Sequence, residues 1–187
     1  IGLGQIGVGV IAALLAWLTP AASPAQDLPV IKAVDVVGAL TVGPRQVLAW
    51  SGLTEGATLT PDLASEAIRK LFDTGKFADV YVYRQDEADG VRVIVNLREF
   101  PRVRSVTFRG NDEIKEKDLR DAFPVTVGQF SNPAAVRRDL QPLRDLYYEK
   151  GYYNVEVSTD STRVDANNME DLVVSISEGQ QVKVETI

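Results

Sequence analysis

Residues 71–82 read LFDTGKFADVYV, and residues 146–157 read LYYEKGYYNVEV. In both stretches a leucine and an aromatic residue precede a glycine, and an aromatic residue and a V-x-V pattern follow it. Glycine often ends a helix because it adopts the left-handed conformation without strain, and alternating branched residues favour a β-strand. The stretch therefore predicts a helix that ends at Gly75 or Gly151 and leads directly into a strand. Its recurrence indicates a repeated structural module.

The repeat covers most of the chain. IKAVDVVG at residues 31–38 matches VRSVTFRG at residues 103–110, an offset of 72 residues that widens to 79 between Glu99 and Glu178. Residues 182–187, VKVETI, match the beginning of VRSVTF once more. We therefore expect two complete modules and the first strand of a third.

Each module predicts the element order βααββ. Apolar and polar residues alternate along predicted strands at residues 31–37, 79–84 and 91–99, and at residues 103–109, 154–159 and 172–178. Apolar residues three and four apart predict helices at about 44–51 and 60–72, and at about 115–122 and 131–150. The expected fold class is α+β, with tandem βααββ modules. Each module is a three-stranded mixed sheet covered on one face by two helices.

The ends of the second helix in each module follow from side-chain chemistry. Thr60 and Ser131 are predicted N-caps, because a hydroxyl oxygen can accept a hydrogen bond from the first turn. Pro142 predicts a kink inside the second copy. Phe77 and Tyr153 are expected to pack the end of this helix against the next strand.

The first residues have a different composition. Residues 6–18, IGVGVIAALLAWL, are uncharged and apolar or glycine, and Ser23 and Ala25 suit the small positions of a cleavage site before Gln26. This pattern predicts a secretory signal truncated at its N-terminus, and the alternative is an uncleaved anchor over residues 1–18. Either segment implies that residues 27–187 are exported from the cytoplasm. The expected organisation is a signal peptide at 1–25, modules at 26–101 and 102–179, and a third module's first strand at 180–187.

Composition narrows the function classes. The 187 residues contain no cysteine and no histidine, which removes disulfides, thiolate nucleophiles and the usual zinc ligands. A net charge of −6 without a basic patch argues against nucleic acid as a partner. Gly52 and Gly56 lie where an RNA-binding KH module has its GxxG loop, but the spacing is GxxxG and Glu55 would repel phosphate. No catalytic motif is present, so neither an enzyme nor a cofactor or metal site is predicted, although a pair of buried carboxylates stays an open alternative.

Three local patterns have a structural and a functional interpretation. Tyr147, Tyr148, Tyr152 and Tyr153 could form an aromatic peptide-binding surface, but packing of the helix end against the sheet is favoured. DEADG at residues 86–90 and RVDANNMED at 163–171 superficially resemble calcium loops. Both lack the ligand spacing of a calcium-binding helix-loop-helix, which favours solvated turns.

The whole set of features resembles a known family. A signal sequence, tandem βααββ modules, the repeated glycine–aromatic–V-x-V stretch and VTFRGNDEIKEKDLRDAF at residues 106–123 resemble POTRA modules. These are the periplasmic repeats of outer-membrane protein assembly factors of the BamA type. The first module has VGALTVG at residues 37–43 in place of the Gly-Asn turn of the second, so its match is weaker.

The resemblance implies a function. It implies a C-terminal sixteen-stranded membrane barrel, a place on the periplasmic face of the outer membrane, and a role in receiving unfolded barrel proteins and docking accessory assembly lipoproteins. A passive spacer, or an interaction module of a TamA-like translocation or assembly protein, is the alternative. In this family the middle strand of the module lies at the sheet edge, where an added strand could bind. The predicted peptide-binding edge residues are Val80, Tyr81, Val82, Tyr83, Val155, Glu156, Val157 and Ser158.

Overall fold

The computed structural model of the chain describes residues 28–161 and 164–182. In chain order these residues form β1 (Ile31–Val37), α1 (Pro44–Ser51), α2 (Pro61–Asp73), β2 (Phe77–Glu87), β3 (Gly90–Glu99), β4 (Arg102–Arg109), α3 (Glu116–Ala122), α4 (Pro133–Asp139), α5 (Gln141–Glu149), β5 (Glu156–Ser161) and β6 (Met169–Ser177). The predicted signal peptide lies outside the described residues, and so does most of the predicted third-module strand.

The strands form two three-stranded sheets of the same topology. Their orders are β1-β3-β2 and β4-β6-β5, so the last strand of each module lies in the centre. In each sheet the first strand pairs parallel with the central one and the middle strand pairs antiparallel with it. The predicted α+β fold with two mixed sheets is confirmed.

Each sheet buries one face under its own helices. Val91, Val93 and Val95 on β3 are 0% exposed, and Val174 on β6 is also 0% exposed. The apolar residues that pack over them come mainly from the helices, the neighbouring strands and the loops of the same module. Both cores are built from residues 31–176, with Phe130 of the second module also lying against the first core. Residues 26–187 therefore include all residues of the two cores.

The helix ends correct two details of the sequence prediction. Thr60 caps α2 as predicted, since its hydroxyl accepts a hydrogen bond from the Leu63 N–H at 3.0 Å. The predicted cap Ser131 is wrong, because Asn132 caps α4 by accepting hydrogen bonds from the two N–H groups after Pro133. Ser131 is instead buried, and its N–H donates to the Pro101 carbonyl at 2.7 Å. The longer helix expected in the second module is divided into α4 and α5 near the predicted kink at Pro142.

The aromatic residues after the helices also differ from expectation. Phe77 is 2% exposed and seals its module as predicted. Tyr153 is 57% exposed, so its predicted packing role is wrong, and Tyr152 takes that role at 7% exposure. The Tyr152 ring meets the buried Tyr147 ring edge to face, with centroids 6.0 Å apart. No helix within the described residues has the length and apolar character required to cross a bilayer.

Candidate peptide-binding edges

The middle strand of each module lies at a sheet edge. Among residues 28–161 and 164–182, β2 pairs only with β3, and β5 pairs only with β6. An edge strand has a row of N–H and C=O groups that its own sheet does not pair, so it can accept an additional strand. Val80, Tyr81, Val82 and Tyr83 all lie within β2.

The hairpin register shows which backbone groups of β2 point away from the sheet. Glu87 opposes Gly90 across a two-residue turn, which makes this the closing hydrogen-bonded pair. Hydrogen-bonded pairs then recur at every second residue, so Tyr83 bonds Ile94 and Tyr81 bonds Asn96. The outward backbone groups are therefore those of the alternate residues, which include Val80, Val82 and Arg84.

The side chains of β2 alternate between the two faces of the sheet. Val80 is 5% exposed, and Val82 packs partly buried against the same core. Tyr81 and Tyr83 are 53% and 51% exposed on the opposite, helix-free face, and their rings stack with centroids 6.2 Å apart. The edge therefore presents aromatic side chains on one face and free backbone groups along its rim.

β5 begins later than the sequence predicts. Its first residue is Glu156, so Val155 lies just before the strand and is buried. In the structure Val157 pairs with Ile176 in the same way as Val80 pairs with Leu97, so Val157 is the counterpart of Val80. The repeated sequence stretch aligns Val157 with Val82 instead. One extra residue before the glycine and one extra residue between the glycine and the strand together give this shift of two.

The register therefore changes which residues correspond in the two edges. Residues 157–160 of β5 are the counterparts of residues 80–83 of β2. Thr159 and Asp160 were missed as edge residues by sequence alignment. A shift of two residues leaves the alternation of Leu172, Val174 and Ile176 unchanged, so the sequence pattern does not point to Thr159 and Asp160.

Ion pairs occupy the open face of the first sheet. Arg98 approaches Asp79 of β2 at 2.6 Å, and Arg92 pairs with Asp35 at 3.0 Å and with Glu87 at 2.7 Å. Hydrogen bonds from its guanidinium to Asp35 and Glu87 raise the pKa of Arg92. These charges are thus compensated within the sheet.

The second sheet has a comparable group of charged side chains near its parallel strands β4 and β6. Arg104 contacts both Asp165 and Asp171, and the Ser105 hydroxyl also donates to Asp171 at 2.5 Å. The hydrogen bonds from Arg104 and Ser105 lower the pKa of Asp171 to about 2. This group lies on the β4 side, away from the β5 edge.

A groove of about 450 Å³ lies between the two modules. Ala78, at the beginning of β2, and Thr159, in the second half of β5, both line it. Its lining also includes Glu170, which is 4% exposed. The groove brings the start of one edge close to the end of the other.

Glu99 is a buried carboxylate with a structural role. It is 3% exposed and accepts hydrogen bonds from the Leu40, Thr41 and Val42 N–H groups at 2.8–3.1 Å. Burial raises the pKa of Glu99, but these bonds and one from the Thr41 hydroxyl outweigh it, so the pKa is lowered overall. Its counterpart Glu178 accepts hydrogen bonds from Glu113 and from the Tyr147 hydroxyl.

The four second-module tyrosines separate into two pairs. Tyr147 and Tyr152 are buried in the core as favoured by the sequence. Tyr148 and Tyr153 are 36% and 57% exposed and stack with their ring centroids 6.2 Å apart.

The sequence pattern DEADG at residues 86–90 closes the β2–β3 hairpin.

Comparison with known proteins agrees with this architecture. The sequence model of the POTRA family, described as a surface antigen variable number repeat, matches residues 29–99 and 101–179. Among solved structures, the N-terminal domain of Omp85 from Thermosynechococcus elongatus has a TM-score of 0.60 at 23% identity, covering 84% of this chain and 72% of that one. POTRA domains 1–2 of the periplasmic domain of Omp85 from Anabaena give 0.53 at 22% identity, covering 81% and 96%. These two likenesses concern the fold.

Curated relatives are similar in sequence over most of the chain. This chain is 26% identical to the outer membrane protein assembly factor BamA of Nitratidesulfovibrio vulgaris, in an alignment that covers 82% of this chain. It is 28% identical to BamA of Neisseria meningitidis serogroup B, in an alignment that covers 84% of this chain. It spans only 20% and 19% of those two proteins. Since the family model matches both modules and each has the strand order of one repeated unit, this chain belongs to the POTRA family.

Proposed function

We propose that the two modules are a periplasmic part of an outer-membrane protein assembly factor, and that β2 and β5 receive unfolded barrel segments by β-augmentation. The observation that supports this most is the position of β2 and β5 at the edges of their sheets. Unfolded segments of outer-membrane barrels alternate apolar and polar residues over about ten residues, and β2 is 11 residues long.

Backbone pairing suits a receptor that handles many clients. Main-chain hydrogen bonds form with any sequence that can be extended, so they demand little of side-chain identity. Each edge alone binds weakly, and two edges in one chain raise the apparent affinity through effective concentration. The similarity to relatives that are named outer membrane protein assembly factors supports the same role.

The proposal includes the surroundings of the modules. They lie at the periplasmic face of the outer membrane, attached to a C-terminal barrel of the same polypeptide, and other surfaces dock accessory lipoproteins. The chain spans about a fifth of the length of its curated relatives.

The test is an NMR titration of ¹⁵N-labelled residues 26–187 with a ten-residue barrel-strand peptide. We expect the largest amide shifts at residues 80–84 and 157–160. The control is the same peptide with all of its backbone nitrogens methylated. This change keeps the side chains and removes the backbone hydrogen-bond donors. It should leave these amides unshifted.

Two outcomes would contradict the receiving role. Shifts confined to α1–α5 would place the peptide on the helices, and equal shifts with the N-methylated peptide would show that backbone pairing is not involved. If millimolar peptide shifts no amide, the spacer function becomes the better explanation.

A further inference from the structure

The two proposed edges present different side chains to an added strand. By register, Tyr81 of β2 corresponds to Ser158 of β5, and Tyr83 corresponds to Asp160. All four side chains lie on the open face, because they alternate with residues that face the core. One edge is therefore aromatic where the other is polar and acidic.

The tyrosines form part of a larger uncharged surface. Their cross-strand partners are Asn96 and Ile94 on β3, and Val37 on β1 lies next to Asn96 and is 50% exposed. This patch continues to the free rim of β2, where an incoming strand would lie. Side chains of that strand would stand beside the tyrosines at the spacing of neighbouring strands, about 4.8 Å.

Charge also favours an uncharged, aromatic segment at this edge. The Asp79–Arg98 pair lies on one side of the tyrosines, and the ion pairs of Arg92 lie on the other. Each of these charges has an ion-pair partner. An apolar side chain placed between the pairs therefore does not desolvate an unpaired charge. On β5, by contrast, Glu156 and Asp160 have no ion-pair partner within residues 28–161 and 164–182.

We propose that β2 selects segments that carry aromatic side chains at two alternate positions, i and i+2, opposite Tyr81 and Tyr83, and that β5 makes no such selection. The inference rests on the proposed function, because it presupposes a strand added at β2. Cross-strand aromatic pairs stabilise a sheet more than aromatic–polar pairs, and each gain is modest. The first module would then discriminate between side chains. The second would contribute only backbone pairing, at groups other than the Val157 carbonyl, which accepts a hydrogen bond from the Arg144 guanidinium at 2.9 Å.

The tyrosines could instead have a simpler role. Aromatic residues have high strand propensity, and two stacked rings could merely cover the open face of the first sheet. That role predicts that replacing them changes the stability of β2 without changing which peptides bind. The two roles therefore differ in the ratio of the affinities that β2 has for aromatic and polar peptides, and this ratio can be measured.

The experiment uses two ten-residue strand peptides that differ only at positions i and i+2, with Phe in one and Ser in the other. Both are titrated into ¹⁵N-labelled residues 26–187, and the shifts of the β2 and β5 amides are fitted separately. For β2 we expect the Phe peptide to bind about two- to thirtyfold more tightly. For β5 we expect no more than a twofold difference.

Matched variants separate selection from folding. The Tyr81→Thr and Tyr83→Thr double variant keeps strand propensity, and it should reduce the β2 ratio to about one while both peptides still bind. The Ser158→Tyr and Asp160→Tyr double variant should create the preference in β5. An unchanged dispersion of the amide spectrum confirms that each variant is folded.

The outcomes distinguish the two proposals. Equal binding of both peptides at wild-type β2 would overturn the selection and leave the receiving role intact. A preference that survives Tyr81→Thr and Tyr83→Thr would also overturn it, since the tyrosines would not be its source. Absence of binding by either peptide at β2 would instead overturn the proposed function.

Discussion

At the scale of single residues, a carboxylate accepts hydrogen bonds from the turn after each first strand, and it is buried in the first module (Glu99) and half-buried in the second (Glu178). Gly38 has a φ of 86°, and a Cβ there would lie 1.9 Å from the Leu97 carbonyl oxygen. Only glycine permits this approach, which brings the backbone of residues 40–42 onto the Glu99 carboxylate. Gly110 repeats the contact at 2.1 Å from the Ile176 carbonyl oxygen, close to Glu178.

Glu99 makes the stability of the first module depend on pH. Burial raises the pKa of Glu99, but hydrogen bonds from residues 40–42 outweigh it, so the pKa lies below its value in the unfolded chain. Its contribution is therefore complete above the unfolded-state pKa and is lost as the pH falls through the folded-state pKa. We expect Glu99→Gln to cost about 2 kcal/mol at pH 7 and to flatten the acid part of the profile.

Trp50 provides the measurement, because it is the single tryptophan of residues 26–187 and lies in the first module. Urea unfolding followed by its fluorescence at pH 7, 5 and 3 gives the stability profile of the module that contains Glu99. Glu55→Gln, at an exposed position, is the control and should leave the profile unchanged. An acid dependence as steep in Glu99→Gln as in the wild type would contradict the assignment.

At the scale of elements, the second helix of the first module corresponds to two shorter helices in the second module. α2 is one helix of 13 residues, whereas its counterpart is divided into α4 and α5. Within the described residues, β2 has 11 residues and β5 has 6.

The end of α5 allows a comparison of two adjacent tyrosines. Tyr152 is 7% exposed against the Tyr147 ring, and Tyr153 is 57% exposed. Tyr152→Ala should destabilise the second module by about 3 kcal/mol, because it leaves a cavity in the core. Tyr153→Ala should change stability by at most about 0.5 kcal/mol.

Urea unfolding followed by far-ultraviolet circular dichroism measures both variants. The Trp50 fluorescence transition of the first module serves as an internal control and should not move. Equal losses of stability from the two substitutions would show that the exposed ring carries as much packing energy as the buried one.

At the scale of the whole molecule, aromatic and cationic side chains join the two modules. Only residues 100 and 101 separate β3 from β4. The Lys76 ammonium lies 5.6 Å from the Trp50 ring centroid and 5.2 Å from that of Phe130, which the Arg102 guanidinium also covers at 4.1 Å. Arg102 in turn donates a hydrogen bond to the Thr41 hydroxyl at 3.2 Å, across the boundary.

Phe130 is expected to hold the angle between the modules. Phe130→Ala removes the ring that two cations share, so the modules should move relative to each other while both cores stay intact. Residual dipolar couplings should then fit a separate alignment tensor for each module. Val127→Ala is the control, because Val127 lies on the same loop and is 65% exposed. One common tensor for Phe130→Ala would show that the linker alone sets the angle.

The repeat and the alternation of β3 and β6 were sufficient to predict two βααββ modules, since burial of one face imposes a period that is visible in sequence. Local chemistry also predicted Thr60 as a cap and Gly75 as a helix end. The register of β5 was not predictable, because a shift of two residues keeps the same side chains facing the core. The choice between Tyr152 and Tyr153 likewise depends on the path of the backbone after Gly151, and the contacts of Phe130 depend on how two separate cores meet. Periodicity within an element is local and leaves its mark on the sequence, whereas register and the joining of modules are decided by contacts between residues far apart in the chain.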